Sequence, residues 1–184
     1  MQKIGSLFKR DYEGTRLVYD EVVPGSEWVL AGEGVATRKF DGTCCMVQDG
    51  KLYKRFDAKA GKAAPEGFLP AQEPDVTTGH WPGWLLVGDS AADQWHREAF
   101  TGEETDGTYE LCGPKVQGNP DKFEKHVLVP HGREVLDDAP RSFEALKSYL
   151  EDLEMEGIVW HHPDGRMVKI KRKDFFKPSK QKNY

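Results

Sequence analysis

The stretch ATRKFDGTCCM, residues 36 to 46, places Lys39 two residues before the pair Asp41-Gly42. The residues before it alternate in polarity, and an Asp-Gly pair is typical of a tight turn. The run VATRKF therefore predicts a β-strand that ends in a turn. A lysine at this point is either an ordinary surface residue or a covalent nucleophile, and the rest of the chain decides between the two.

Patterns elsewhere in the chain predict mostly antiparallel β-structure. CMVQDGKLYKRF and EGIVWHHPDGRMVKIKR are typical of hairpins that turn at Asp49-Gly50 and at Pro163–Gly165. WPGWLLVG, QWHREAF, GTYELCG and the apparently buried HVLVPHG predict further strands, whereas residues 58 to 83 predict a long loop. The best helix is residues 142 to 153, where leucines recur on one face after Ser142 as N-cap. The fold class we expect is α+β.

The composition indicates one globular domain over residues 1 to 184. With 38% hydrophobic and 31% charged residues, the chain is neither disordered nor membrane-spanning by composition. Three cysteines, Cys44, Cys45 and Cys112, are too few for a disulfide framework and wrongly spaced for a zinc site. We expect them to be reduced, and the protein to be an intracellular, cytoplasmic monomer without membrane contact.

Basic residues collect near the C-terminal end of a chain whose net charge is -5. From Lys169 onward, KIKRKDFFKPSKQKNY carries seven Lys or Arg and one acid. A basic edge on an acidic protein can bind a polyanion locally. The tail from about residue 176 is equally compatible with a solvated, frayed end.

Five short pieces follow one another in a recognisable order. They are K-x-D-G at residues 39 to 42, RFD at 55 to 57, YELCG at 109 to 113, EGIVW at 156 to 160 and VKIKR at 168 to 172. In this order they resemble the motifs of the covalent nucleotidyltransferases, which comprise RNA ligases, DNA ligases and mRNA-capping guanylyltransferases. KFDGTCC, GHWPGW, LCGPKVQGNP, LVPHG and EGIVWHHPDG are similar to segments of the small ATP-dependent 5′-to-3′ RNA ligases known from vertebrates, with microbial and viral relatives. That closer resemblance covers roughly residues 1 to 175.

The resemblance implies a fold, a reaction and two cofactors. The fold would be an adenylyltransferase domain (an ATP-grasp-like ligase domain) of antiparallel sheets with few flanking helices and no OB-fold domain. The reaction would join RNA 5′-phosphate and 3′-hydroxyl ends with ATP and Mg²⁺ or Mn²⁺, through AMP bound to Lys39. A lysine amine is nucleophilic only when deprotonated, and nearby cations or desolvation lower its pKa.

Roles for the other residues follow from the same resemblance. Lys169 and Lys171, two apart on one strand face, would bind the triphosphate and lower the pKa of Lys39, while Val168 and Ile170 fill the core. Glu156 would hold the divalent metal, which needs few protein carboxylates. Other nucleotide-binding or loop-shaping residues would be Asp41, Gly42, Arg55 and Glu110. Weaker candidates for RNA binding are Lys54, Arg172 and Lys173.

Several alternatives stay open at the level of sequence. Many relatives place an aromatic ring over adenine after the third motif, but HVLVPHG offers Val127, Val129, His126 or His131 instead. Four aromatic residues can stack RNA bases or pack in a core: Trp81, Trp84, Trp95 and Phe100. The rival functions are a capping guanylyltransferase or DNA ligase, a non-catalytic RNA- or nucleotide-binding module that can depend on a partner, and an enzyme that stops at self-adenylylation.

Overall fold

The computed structural model describes residues 1–177. Its strands, in chain order, are β1 Gly5–Ser6, β2 Phe8–Arg10, β3 Val18–Val22, β4 Val35–Lys39, β5 Thr43–Gln48, β6 Lys51–Lys59, β7 Leu69–Pro70, β8 His80–Leu86, β9 Gly107–Cys112, β10 Val127–Pro130, β11 Gly157–His161 and β12 Met167–Lys171. Its helices are α1 Glu27–Leu30, α2 Gln94–Ala99, α3 Phe143–Asp152 and α4 Arg172–Phe175. The coarse prediction of an α+β protein with mostly antiparallel sheets and few helices is confirmed.

The residues group into two compact units. The first unit comprises residues 1–3 and 41–131, and the second comprises residues 4–40 together with those from 132 onward. The boundary after residue 40 divides the K-x-D-G stretch, so Lys39 belongs to the second unit while Asp41 and Gly42 belong to the first.

The first unit is built on a six-stranded antiparallel sheet with the order β10-β9-β5-β6-β8-β7. Its central hairpin turns at Asp49-Gly50, as predicted, and both residues have positive φ, at 51° and 68°. Paired positive φ values define the type I′ turn, whose twist matches that of the flanking strands. One face of the sheet packs on a core that includes Cys45, Val47 and Leu111.

The second unit holds a four-stranded sheet of order β1-β12-β11-β4 and a small sheet of β2 and β3. Strand β1 runs parallel to β12, and the other pairs of the larger sheet are antiparallel. The face carrying Ile158, Trp160 and Ile170 is fully buried against α3, where Leu146 and Leu150 are also fully buried. The predicted hairpin of β11 and β12 is therefore confirmed.

Several predicted elements were wrong or only partly right. QWHREAF forms helix α2 rather than a strand, and Ala99 four residues after Trp95 packs on the core of the first unit. That i, i+4 spacing is helical, and it outweighs the apparent alternation. The predicted loop of residues 58 to 83 is shorter, because β6 extends to Lys59, β8 begins at His80 and β7 lies between them. Strand β10 is half-buried rather than buried.

Helix α3 matches its predicted range closely, with one difference at its start. Ser142 occupies the N-cap position with an extended backbone, but its hydroxyl makes no capping hydrogen bond within the described chain. Within residues 1–177, none of the helices has the length and apolar composition needed to cross a lipid bilayer. The predicted basic tail from about residue 176 lies almost wholly outside the described residues.

Candidate active site

A row of three directly opposed residues crosses the larger sheet of the second unit. Gly157 on β11 is paired with Lys39 on β4 and with Lys171 on β12. Directly opposed residues of antiparallel strands point to the same face, so both lysines lie on the face opposite the core. Gly157 itself has no side chain on that face. A Cβ atom at Gly157 would lie only 2.1 Å from the carbonyl oxygen of Ile170, so the close approach of the backbones requires glycine here.

Glu156, the residue before Gly157, places a carboxylate between the two lysines of this row. Its Oε2 lies 2.5 Å from Nζ of Lys39, and its Oε1 lies 3.5 Å from Nζ of Lys171. The Lys39 ammonium also donates a hydrogen bond of 3.3 Å to the carbonyl oxygen of Phe40. Only 8% of the Glu156 side chain is exposed, so one buried carboxylate bridges two ammonium groups.

Lys169 lies on the same face, two residues along the strand from Lys171. It is opposite Val159, which is itself opposite Thr37. Burial, the largest cause, together with the charges of Lys171 and Lys39, lowers the pKa of Lys169 to about 8. A cation in a partly desolvated site beside two others is disfavoured, which explains the direction.

The predicted alternation along β12 is confirmed. Val168 and Ile170 face the core with 6% and 0% exposure, and the two lysines face the other way. We expected these cations to lower the pKa of Lys39, and that effect stays a prediction.

Glu156 has the donor chemistry that a hard divalent cation prefers. Magnesium is held in proteins by one or two carboxylates together with substrate phosphates and water, so a single carboxylate is enough. A divalent cation at Glu156 would lie beside two lysines, so further negative charge would be needed to balance it. The triphosphate of a nucleotide carries that charge. The residues therefore fit a metal that arrives with its nucleotide.

Glu110 occupies the corresponding polar face of the sheet in the first unit. Its neighbours Tyr109 and Leu111 are buried in the core, which confirms that Glu110 faces the opposite way. Its Oε1 accepts a hydrogen bond of 3.2 Å from the backbone N–H of Gly42, and its Oε2 lies 2.8 Å from Nε2 of His131. A Cβ atom at Gly42 would meet the carbonyl oxygen of Leu111 at 2.1 Å, so glycine permits this approach.

Arg55 lies on the polar face of the same sheet. Its guanidinium carbon is 4.0 Å from the centre of the Trp84 ring, a cation–π contact, and Nη2 donates to the carbonyl oxygen of Met1 at 2.7 Å. The same nitrogen lies 3.9 Å from Sγ of Cys44. Nη1 is buried and lacks a hydrogen-bond partner among the described residues. Arg55 therefore keeps donor capacity that the described chain does not use.

The remaining predicted residues have partners of their own. The backbone N–H of Asp41 donates to the Asp121 carboxylate at 3.0 Å. Lys54 forms a 2.5 Å ion pair with the buried Asp93. Arg172 donates from Nε to the carbonyl oxygen of Leu150 near the end of α3 at 2.9 Å, and Lys173 is exposed. Contacts with RNA stay predictions for Lys54, Arg172 and Lys173.

The aromatic side chains pack within the first unit. Trp84 lies under Arg55, Trp95 stacks on His126 with ring centres 4.5 Å apart, and Trp81 makes an edge contact with Phe68. His126 is buried and its Nδ1 lies 2.9 Å from the Glu98 carboxylate. These contacts favour packing over base stacking for the tryptophans. The residue that packs on adenine stays open.

Sequence reasoning missed the roles of Gly157 and Cys44. Gly157 begins a strand whose other residues are large, and an isolated glycine in a strand signals a close backbone approach. Cys44 is directly opposite Glu110. Burial raises the pKa of the Cys44 thiol to about 11, with the Arg55 charge acting against that rise.

The comparisons with known proteins support the resemblance to RNA ligases. A family model described as RNA ligase 1 matches residues 99–177, which include Glu110, Glu156, Lys169 and Lys171. RNA ligase 1 of Rattus norvegicus is 27% identical over 244 aligned positions, covering 89% of this chain and 74% of the relative. RNA ligase 1 of Mus musculus is 28% identical with the same coverage. RNA ligase 1 of Danio rerio is 28% identical over 243 positions, again with 89% and 74% covered.

The resemblance to small RNA ligases is thereby confirmed. The chain, a mixed α+β protein, is similar to RNA ligase 1 over most of its length.

Proposed function

We propose that this protein is an ATP-dependent RNA ligase that joins a 5′-phosphate to a 3′-hydroxyl through an AMP group bound to Lys39. The observation that carries the proposal is the cluster of Lys39, Glu156, Lys169 and Lys171 on one face of the β4-β11-β12 sheet. We also propose that the chain has an adenylyltransferase fold.

The charge of this cluster suits a polyphosphate. When all its groups are ionised, Lys39, Lys169 and Lys171 bring three positive charges against the single negative charge of Glu156. A half-buried site with excess positive charge binds an anion more strongly than the same charges would in water. The lowered pKa of Lys169, caused first by burial and then by the charges of Lys171 and Lys39, is the effect expected of like charges held close together in a partly desolvated site.

The first chemical step uses Lys39 as nucleophile. Its neutral amine attacks the α-phosphorus of ATP, a P–N bond forms, the bond to the β-phosphate oxygen breaks and pyrophosphate leaves. The amine proton is lost to solvent or to a basic neighbour. Lys169 and Lys171 stabilise the charge that develops on the phosphate oxygens. Glu156 holds Lys39 in place before ATP arrives and is the residue that would bind Mg²⁺, which would neutralise phosphate charge.

The two later steps complete the ligation. The 5′-phosphate of an RNA attacks the lysine-bound AMP, the P–N bond breaks and an RNA capped by AMP is released from Lys39. A 3′-hydroxyl then attacks the 5′-phosphate, a phosphodiester forms and AMP leaves. Glu110 and Arg55 are proposed to bind the nucleotide, through ribose hydroxyls and phosphate respectively.

Intact mass spectrometry tests the first step. Incubation with ATP and Mg²⁺ should add the mass of one AMP, and Lys39→Arg, which keeps the charge but is too basic to attack, should add none. Lys51→Arg, at an exposed position of β6, is the matched control and should react like the unmodified protein. Persistent AMP attachment in Lys39→Arg would refute the mechanism, and a gain of GMP from GTP would indicate capping chemistry instead.

The second step needs its own measurement. The AMP-loaded protein, freed of ATP, is mixed with RNA that carries a 5′-phosphate or, as a control, a 5′-hydroxyl. We expect AMP to move only to the phosphorylated RNA. If AMP leaves the protein without appearing on RNA, the enzyme modifies another acceptor.

A further inference from the structure

Three possible metal ligands meet on the polar face of the first unit's sheet. Cys44 on β5 is directly opposite Glu110 on β9, so their side chains share one face. Glu110 is opposite Val129 on β10, and His131 follows Val129 by two residues, which returns its side chain to that face. One ligand atom from each of the three residues lies within 4.8 Å of the others.

Other contacts already orient the histidine and the carboxylate. Nδ1 of His131 lies 2.9 Å from the hydroxyl of Thr108, which leaves Nε2 directed at the Glu110 carboxylate. The other oxygen of that carboxylate accepts the Gly42 N–H. Metal-binding histidines and carboxylates are usually held in this way by a second hydrogen bond, which fixes the ring and the tautomer.

We propose that Cys44, Glu110 and His131 bind a divalent transition metal, with Zn²⁺ as the best fit. Thiolate, carboxylate and imidazole are ligands that zinc accepts together, and three protein ligands leave a fourth position open. A thiolate and an imidazole do not suit Mg²⁺ or Ca²⁺, so this site is chemically different from the one at Glu156.

The negative charges of the ligands allow a cation to bind close to Arg55. Arg55 lies 3.9 Å from the Cys44 sulfur and would repel an isolated cation. Thiolate and carboxylate together carry two negative charges, which neutralise a divalent ion. The guanidinium then faces a neutral group.

Metal binding at this site should affect nucleotide binding, an expectation that rests on the proposed function. Glu110 is the residue proposed to accept the ribose hydroxyls. A carboxylate that is bound to a metal has less capacity to accept hydrogen bonds from those hydroxyls. Zinc and nucleotide should therefore weaken each other's binding. The metal site itself does not depend on this coupling.

Cobalt titration of the metal-stripped protein tests the site, because tetrahedral Co²⁺ bound to sulfur shows a charge-transfer band in the near ultraviolet. We expect one Co²⁺ per chain with that band, and displacement by Zn²⁺. Cys44→Ser should abolish the band and His131→Gln should weaken binding strongly. Thr108→Val, which removes only the orienting hydroxyl, should lower affinity about 10- to 100-fold.

Two controls separate the site from its surroundings. Cys45→Ala removes the adjacent thiol, which is fully buried on the opposite face, and His80→Gln removes a histidine from the more exposed part of β8. Both should leave the cobalt band and affinity unchanged. The absence of a band in the unmodified protein, or an unchanged band in folded Cys44→Ser, would overturn the proposal.

AMP attachment measured with and without one equivalent of Zn²⁺ then tests the coupling. We expect zinc to slow attachment in the unmodified protein and to slow it far less in Cys44→Ser. If the cobalt band is present and zinc has no effect, the coupling is wrong and the metal site stands. If the metal-free protein gains no AMP, the proposed function fails while the cobalt result is unaffected.

Discussion

The polar face of the β4-β11-β12 sheet and that of the β5-β9-β10 strands are built in the same way but carry different chemistry. In each, alternate residues fill a core while their neighbours present polar groups on the opposite face. The second unit presents three lysines around one carboxylate, Glu156. The first presents a thiol, a carboxylate and an imidazole at Cys44, Glu110 and His131.

The difference shows that side-chain charge, rather than backbone architecture, sets what each face can bind. In the second unit three lysines surround one carboxylate, and burial together with the charges of Lys171 and Lys39 lowers the pKa of Lys169. The ligands of the first unit are neutral or negative and accept protons or metals. Variants made in matched pairs, one in each unit, can test this contrast.

The largest effect is expected from adding a Cβ atom at the two glycines that lie closest to a neighbouring backbone. The variants are Gly157→Ala in the second unit and Gly42→Ala in the first. Each new Cβ would lie 2.1 Å from a carbonyl oxygen, so the strands must move apart. We expect each to lower the free energy of unfolding by about 3 kcal/mol or more. Urea denaturation measures this, with Gly5→Ala and Gly107→Ala as controls because their Cβ atoms would meet no close neighbour. Equal midpoints for Gly157→Ala and Gly5→Ala would contradict the argument.

Neutralising the two buried carboxylates should affect the two faces unequally. Glu156→Gln leaves Lys39 and Lys171 without their counter-charge, and breaking a buried pair of this kind should cost about 3 kcal/mol of stability. Glu110→Gln keeps oxygen and nitrogen atoms within reach of the Gly42 N–H and of His131, and should cost about 1 kcal/mol. Thermal or urea unfolding at neutral pH compares them. An effect of the same size in both would show that the lysines of the second unit do not depend on Glu156.

Lys169→Met should stabilise the protein while it impairs AMP attachment. The pKa of Lys169 is about 8 in the folded chain against 10.5 ordinarily, so folding disfavours its charged form. That cost is fully present below pH 8 and disappears as the pH rises from about 8 to 10.5, when the unfolded chain also loses the proton. After allowance for partial exposure, the gain at pH 7 should be about 2 kcal/mol.

Unfolding of Lys169→Met and the unmodified protein across that pH range gives the test. The difference in stability between them should shrink as the pH rises. Lys51→Met, at an exposed position of β6, controls for the loss of a lysine that is not confined in a cluster. A difference that grows with pH would show that the sign of the Lys169 effect is wrong.

The smallest effect is expected from replacing stacked arginines. Arg55→Lys keeps the charge but loses the planar group that lies 4.0 Å from Trp84, and should cost about 1 kcal/mol. Arg166→Lys in the second unit disturbs a looser contact, 5.5 Å from Trp28, and should cost about 0.5 kcal/mol or less. Denaturant midpoints measured side by side rank the two, and a larger loss at Arg166 would reverse the ranking.

Much of the local structure was predictable because it depends on neighbours in sequence. Alternating polarity and turn residues located the hairpins at Asp49-Gly50 and Pro163–Gly165, and leucine spacing located α3. The error at α2 arose because a run of seven residues is too short for alternation and helical spacing to be distinguished. Trp95 and Ala99 become informative only when the core that they pack against is known.

The sequence by itself determined the residue types, their order and the strand face on which each lies. From it came Lys39 before its turn, the two lysines alternating with core residues on β12, and the resemblance to small RNA ligases. Only the tertiary structure decided that Lys39, Glu156 and Lys171 meet around Gly157, and that Cys44 and His131 converge on Glu110. Local periodicity fixes which face of a strand each residue takes, but which residues of distant strands lie opposite one another is decided by packing over the whole sheet.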